Sequence, residues 1–235
     1  KAGEDQRSFL LSHDTDPFNR WEAGRALGRA ALTAMITQDA APDAAYLEGL
    51  TAVLRDETVD PATRALMMGL PSQSDMATSL FESGVTPDPQ AIWNATETLK
   101  LAIAQHAQNL LPRIYAEMQV DGPYSPDAGP AGKRALGATV LSLINRIDGG
   151  AQAAQQYASA KNMTQQLSAL SCLLSAGKGQ AEVQSFYNQW QYDRLVIDKW
   201  FGLQIIQAAP EAAAKTAAEL TQHTDFKWKN PNRPF

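Results

Sequence analysis

Aspartate stands directly before proline at Asp16-Pro17, Asp60-Pro61 and Asp88-Pro89. Each pair has the form of a helix start. The carboxylate accepts a hydrogen bond from a free N–H of the first turn, and proline there forfeits nothing because its missing N–H would have had no partner. Between these starts, Pro and Gly mark the joints, alanine is abundant and β-branched residues are sparse. That composition favours helix. No segment keeps a period-two alternation, so an extensive sheet is not expected, and residues 7–11 are the one strand candidate.

The spacing of apolar residues predicts helices over residues 17–38 and 43–55, one starting at Pro61, and one from the Pro71–Asp75 turn to about Gly84. A long segment follows over 89–118, which Pro112 should kink or split. Residues 121–132, D-G-P-Y-S-P-D-A-G-P-A-G, form the clearest loop and the only candidate boundary between domains. Helices are then expected over 133–147, 151–160, 164–176, 180–192, 193–208 and 211–222, with an irregular basic tail over 224–235. The fold class is therefore all-α. About ten helices joined by tight turns imply an α-solenoid-like array, a superhelix of the HEAT or armadillo kind.

A chain of 235 residues with 44% apolar and 19% charged residues can bury a real core. The net charge of −5 argues against a nucleic-acid partner, since phosphate binding needs a basic surface. No run of 18 apolar residues is present, so no membrane span is expected. The single cysteine, Cys172, lies in the apolar run 170–174 and is expected to be a buried, inert thiol. One cysteine permits no internal disulfide, which suits a reducing, cytoplasmic setting.

Catalytic chemistry is not visible. The histidines are His13, His106 and His223, none spaced as metal ligands, and no H-E-x-x-H occurs. His13-Asp14-Thr15-Asp16 is better explained as a helix cap than as a metal site. Gly177-Lys178-Gly179 lacks the residues of a phosphate loop and fits a helix end with a turn. Asn94-Ala95-Thr96 and Asn162-Met163-Thr164 match the glycosylation triplet by chance. Phe186, Tyr187, Trp190, Tyr192, Trp200 and Phe201 recur at helical spacing, so core packing is the expectation for them.

Four stretches carry more constraint than helix formation needs. They are His13 to Gly24 (H-D-T-D-P-F-N-R-W-E-A-G), Ala65 to Ser72 with its L-P-S turn, Trp190 to Phe201 (W-x-x-D-x-L-V-x-D-K-W-F), and Phe226 to Arg233 (F-x-x-K-N-P-N-R). In this order they resemble the C-terminal helical domain of bacterial M1-family zinc aminopeptidases, the aminopeptidase N type. The resemblance implies an N-terminal β domain, a catalytic domain holding zinc, a small β-sandwich and then this domain, all in one polypeptide. Residues 1–12 would be the junction from the preceding β domain, and residues 13–235 the helical domain.

The resemblance further implies that this domain closes over the catalytic chamber and restricts the substrates to peptides. Asn230, Asn232 and Arg233 are the residues it places on the chamber side. No catalytic residue, metal ligand or cofactor is expected in this chain, and the chain alone is expected to be inactive. The family segment continues as N-P-N-R-x-R-x-L and further helices, whereas here Pro234-Phe235 follows. The domain is therefore expected to be C-terminally truncated, with an apolar face left uncovered near its end. The competing expectation from the residues alone is a free-standing α-solenoid that binds protein or peptide along a concave face.

Overall fold

The structure, a computed structural model, describes residues 3–230. Among the described residues there are thirteen α-helices and no strand. They fall into two compact units, residues 1–147 and 148–235. The division lies at the end of a helix and not in the 121–132 loop.

The first unit holds α1 (Glu4–His13), α2 (Pro17–Gln38), α3 (Ala44–Arg55), α4 (Pro61–Met67), α5 (Gln73–Glu82), α6 (Pro89–His106), α7 (Leu111–Glu117) and α8 (Ala128–Asp148), the last residue of α8 crossing the boundary. The aspartate–proline pairs act as expected. Asp16, Asp60 and Asp88 accept hydrogen bonds from the N–H groups of Phe18, Thr63 and Gln90 at 2.9, 3.0 and 2.8 Å. Ser72 and Asp75 close a reciprocal capping box on α5. Pro112 occupies the first turn of α7, so the long segment is split there.

The strand expected at residues 7–11 is instead part of α1. Leu11 is buried against two glycines. A Cβ on Gly24 would stand 3.2 Å from a Leu11 methyl, and one on Gly49 would stand 2.8 Å from the other. These small residues on α2 and α3 leave room for the α1 side chain, and tertiary burial overrides a weak local signal. The 121–132 loop is also shorter than expected. α8 begins at Ala128, and Pro130 fits its first turn, where a missing N–H is harmless. Leu32, Tyr46, Leu50, Met76, Leu80 and Leu99 are at the centre of this unit's core.

The second unit holds α9 (Ala151–Ser159), α10 (Met163–Ser175), α11 (Gln180–Trp190), α12 (Arg194–Ile206) and α13 (Pro210–Leu220). Its core gathers Leu170, Phe186, Val196, Trp200, Phe201, Leu220 and Phe226. Gly177 and Gly179, at φ of 70° and 90°, make the turn between α10 and α11. Lys178 between them donates to the Gly149 carbonyl at 2.5 Å, as befits a turn residue. No helix among the described residues is long and apolar enough to cross a membrane.

Candidate functional site

The third and fourth of the constrained blocks, both in the second unit, meet in space. The turn after α11 ends on Asp193, whose carboxylate accepts from the N–H groups of Leu195 and Val196 and so starts α12. α12 then commits Val196, Ile197, Trp200 and Phe201 to the core, and with them Asp198, which is 8% exposed. The chain after α13 runs back across this surface. His223 packs against the rings of Tyr187, Trp200 and Phe201 at centroid distances of 5.0, 5.3 and 5.4 Å. Its Nδ1 accepts the Asp225 N–H at 3.1 Å.

Tyr187 donates its hydroxyl to Asp225 Oδ2 at 2.5 Å, and this bond to a carboxylate raises the phenol's pKa. Phe226 is buried, its ring edge-on to Phe201 at 5.6 Å. Beyond it the amide nitrogen of Asn230 reaches both carboxylate oxygens of Asp198, at 3.2 and 3.1 Å. The D-K-W-F block and the start of the N-P-N-R block are thus joined by a side-chain pair. Of the three residues expected on the chamber side, Asn230 is in this pair, while Asn232 and Arg233 lie outside the described residues.

The first block has a structural explanation as well. Arg20, 4% exposed, donates from Nε to the Leu11 carbonyl at 2.9 Å and from Nη1 to Asp56 Oδ2 at 2.6 Å. Leu11 lies in the last turn of α1, where carbonyls have no helical partner. Arg64, also buried, does the same for α3 by donating to the Leu54 carbonyl at 3.1 Å. Phe18 and Trp21 sit side by side at 5.7 Å, with the Arg25 guanidinium over the Trp21 ring.

The other sequence candidates resolve simply. Asp14 accepts from the Asp16 N–H, Asp16 caps α2, and His13 packs on Phe9, so the His13–Asp16 run is a helix start. His106 pairs with Glu48 at 3.0 Å and, with Arg55, holds that carboxyl below its usual range. Asn162 caps α10, accepting from the Gln165 N–H. Cys172 is buried. Of the aromatic group, Phe186, Trp200 and Phe201 are core and Tyr187 and Trp190 border it, but Tyr192 is 90% exposed, at the turn between α11 and α12. Among the described residues no three His, Cys, Asp or Glu side chains could hold one metal ion.

Asp198 belongs to the W-x-x-D-x-L-V-x-D-K-W-F block but carries no role that spacing alone assigns. The signal was present, since residue 198 falls three before Phe201 and so shares its helix face. A charged residue on an otherwise apolar face is the informative kind of exception.

A family model described as a domain of unknown function with ARM repeats, DUF3458_C, matches residues 4–234. The chain belongs to the DUF3458_C family. This DUF3458_C chain is 37% identical to aminopeptidase N of Caulobacter vibrioides over 239 residues, covering 99% of the chain and 27% of that protein. It is 31% identical to aminopeptidase N of Escherichia coli, again over 99% of the chain and 27% of the relative. The chain therefore spans about a quarter of the length of these relatives. A crystal structure of Legionella pneumophila aminopeptidase A in complex with aspartic acid superposes with a TM-score of 0.84 at 22% identity, over 99% of this chain and 28% of that one. That likeness establishes the all-helical fold.

Proposed function

We propose that this chain is the non-catalytic helical domain of a bacterial M1-type zinc aminopeptidase, which removes N-terminal amino acids from peptides in the cytoplasm. The domain covers the chamber in which the catalytic domain of the same polypeptide works, and it restricts what reaches the zinc. One observation carries this reading. Nearly the whole chain, 99% of it, aligns with 27% of aminopeptidase N, so it corresponds to one part of a larger enzyme.

The zinc belongs to the catalytic domain, and no step of the peptide chemistry is assigned to residues of this chain. Their contribution is steric and electrostatic. Helices bordering the chamber would admit an extended peptide and exclude a folded protein. Asn230, Asn232 and Arg233 would face the peptide, where a guanidinium suits a carboxylate end.

The test is hydrolysis of an alanyl reporter. The chain alone is expected to show none, with or without added zinc, while the polypeptide that includes the catalytic domain turns it over. Metal-dependent turnover by the chain alone would overturn the proposal. In the full polypeptide, Arg233→Ala is expected to raise KM for peptides with kcat largely kept, as for loss of uniform binding.

A further inference from the structure

We propose that Asp198 is a positioning residue, an anchor that fixes Asn230, the first residue of the N-P-N-R segment, against α12. The inference rests on the chamber reading above for its functional meaning, and on the geometry of the second unit for its substance.

Three observations carry it. Asp198 is a carboxylate set among Val196, Ile197, Trp200 and Phe201, on a helix whose face is otherwise committed to the core. Burying a charged group there is costly, and an apolar residue would fill the face without that penalty. Its carboxylate is spent on the segment that follows α13: the Asn230 amide reaches both of its oxygens. The one nitrogen stands nearly equidistant from both oxygens, so the contact is to the carboxylate as a whole.

The segment is also held at its other end. Tyr187 holds Asp225, and Phe226 is buried against Phe201. Residues 225–230 therefore form a strap tied at both ends, with the Asn230 N–H bonded back to Lys227 O at 2.9 Å. Phe226 sets where the strap begins. Asp198 sets where it ends, immediately before Asn232 and Arg233 in sequence.

Amide hydrogen exchange on the 235-residue chain tests this. Asp198→Asn is expected to raise exchange at the Asn230 amide about tenfold, the scale of losing a hydrogen bond to a charged group. The Phe226 amide and those of α12 should change little. Asn230→Ala, which leaves the buried position intact, should give the same result if Asp198→Asn folds poorly. The exchanged pair, Asp198→Asn with Asn230→Asp, should recover protection, because amide and carboxylate still face one another. Unchanged exchange in the single variants, or no recovery in the exchanged pair, would overturn the anchor.

A separate arm measures kinetics of the polypeptide that includes the catalytic domain. Asp198→Asn should raise KM for peptides with kcat kept, and the exchanged pair should lower KM again. Loosened exchange without any KM change would leave the anchor standing and overturn the chamber reading instead.

Discussion

Arg20 Nη1 lies 2.6 Å from Asp56 Oδ2, joining the second helix to the residue that ends the third. Its Nε is bonded to the Leu11 carbonyl, so one buried guanidinium ties three elements together. Arg20→Ala is expected to cost about 3 kcal/mol, the scale of breaking a buried pair and orphaning its partner. Urea unfolding followed by tryptophan fluorescence measures it. A loss below about 0.5 kcal/mol, typical of an exposed pair, would contradict the role given to Arg20.

Asp56 has its pKa depressed, first by the Thr58 hydroxyl and then by Arg20. A group depressed in the folded state binds fewer protons than in the unfolded chain. Its contribution is present above the unfolded value, near pH 4, and is lost as pH falls through the lower folded value. Asp56→Asn should therefore lower stability at pH 7 and flatten its decline below about pH 4. An acid titration as steep in the variant as in the parent chain would contradict this.

Gly28→Ala should destabilise the first unit, although alanine is the better helix former by about 1 kcal/mol. The added Cβ would lie 2.8 Å from Tyr46 Oη and 3.2 Å from Pro71 Cδ. Tyr46 is enclosed by the core and has little room to move. Overpacking costs about 1–3 kcal/mol, so a net loss is expected in thermal unfolding. A rise in Tm would show that the tyrosine shifts freely.

Asp39 ends α2 at φ 53°, ψ 34°, in the left-handed region. It is the one non-glycine residue with positive φ among those described. Asp39→Gly should raise stability by about 0.5–1 kcal/mol by relieving the Cβ strain there. Asp39→Val should lower it. Equal Tm values for the two variants would contradict the strain.

Most helix boundaries were legible because capping is local chemistry. Asp16, Asp60 and Asp88 cap residues two or three positions on, and nothing distant is needed to see it. α1 was illegible because its partners are distant in sequence: the gaps at Gly24 and Gly49 that admit Leu11, and Arg20 at its last turn. The start of α8 was hidden by Gly and Pro, whose usual meaning is a loop. Tyr192 broke the aromatic rule because it falls in the turn between α11 and α12, where helical spacing no longer assigns it a face. At the candidate site, Asn230 came from the resemblance, and Asp198 emerged only once burial was known.

Arg20 and Arg64 each spend a donor on the last turn of the helix before them in the chain. In a regular repeat stack, each unit leans only on its neighbours and the ends can fray one unit at a time. Here the release of α1 would take away the acceptor of Arg20 Nε on α2, and the release of α3 would take away that of Arg64 on α4. Peeling from the amino end is thus opposed at its first step, and α1 to α4 should melt together as a block.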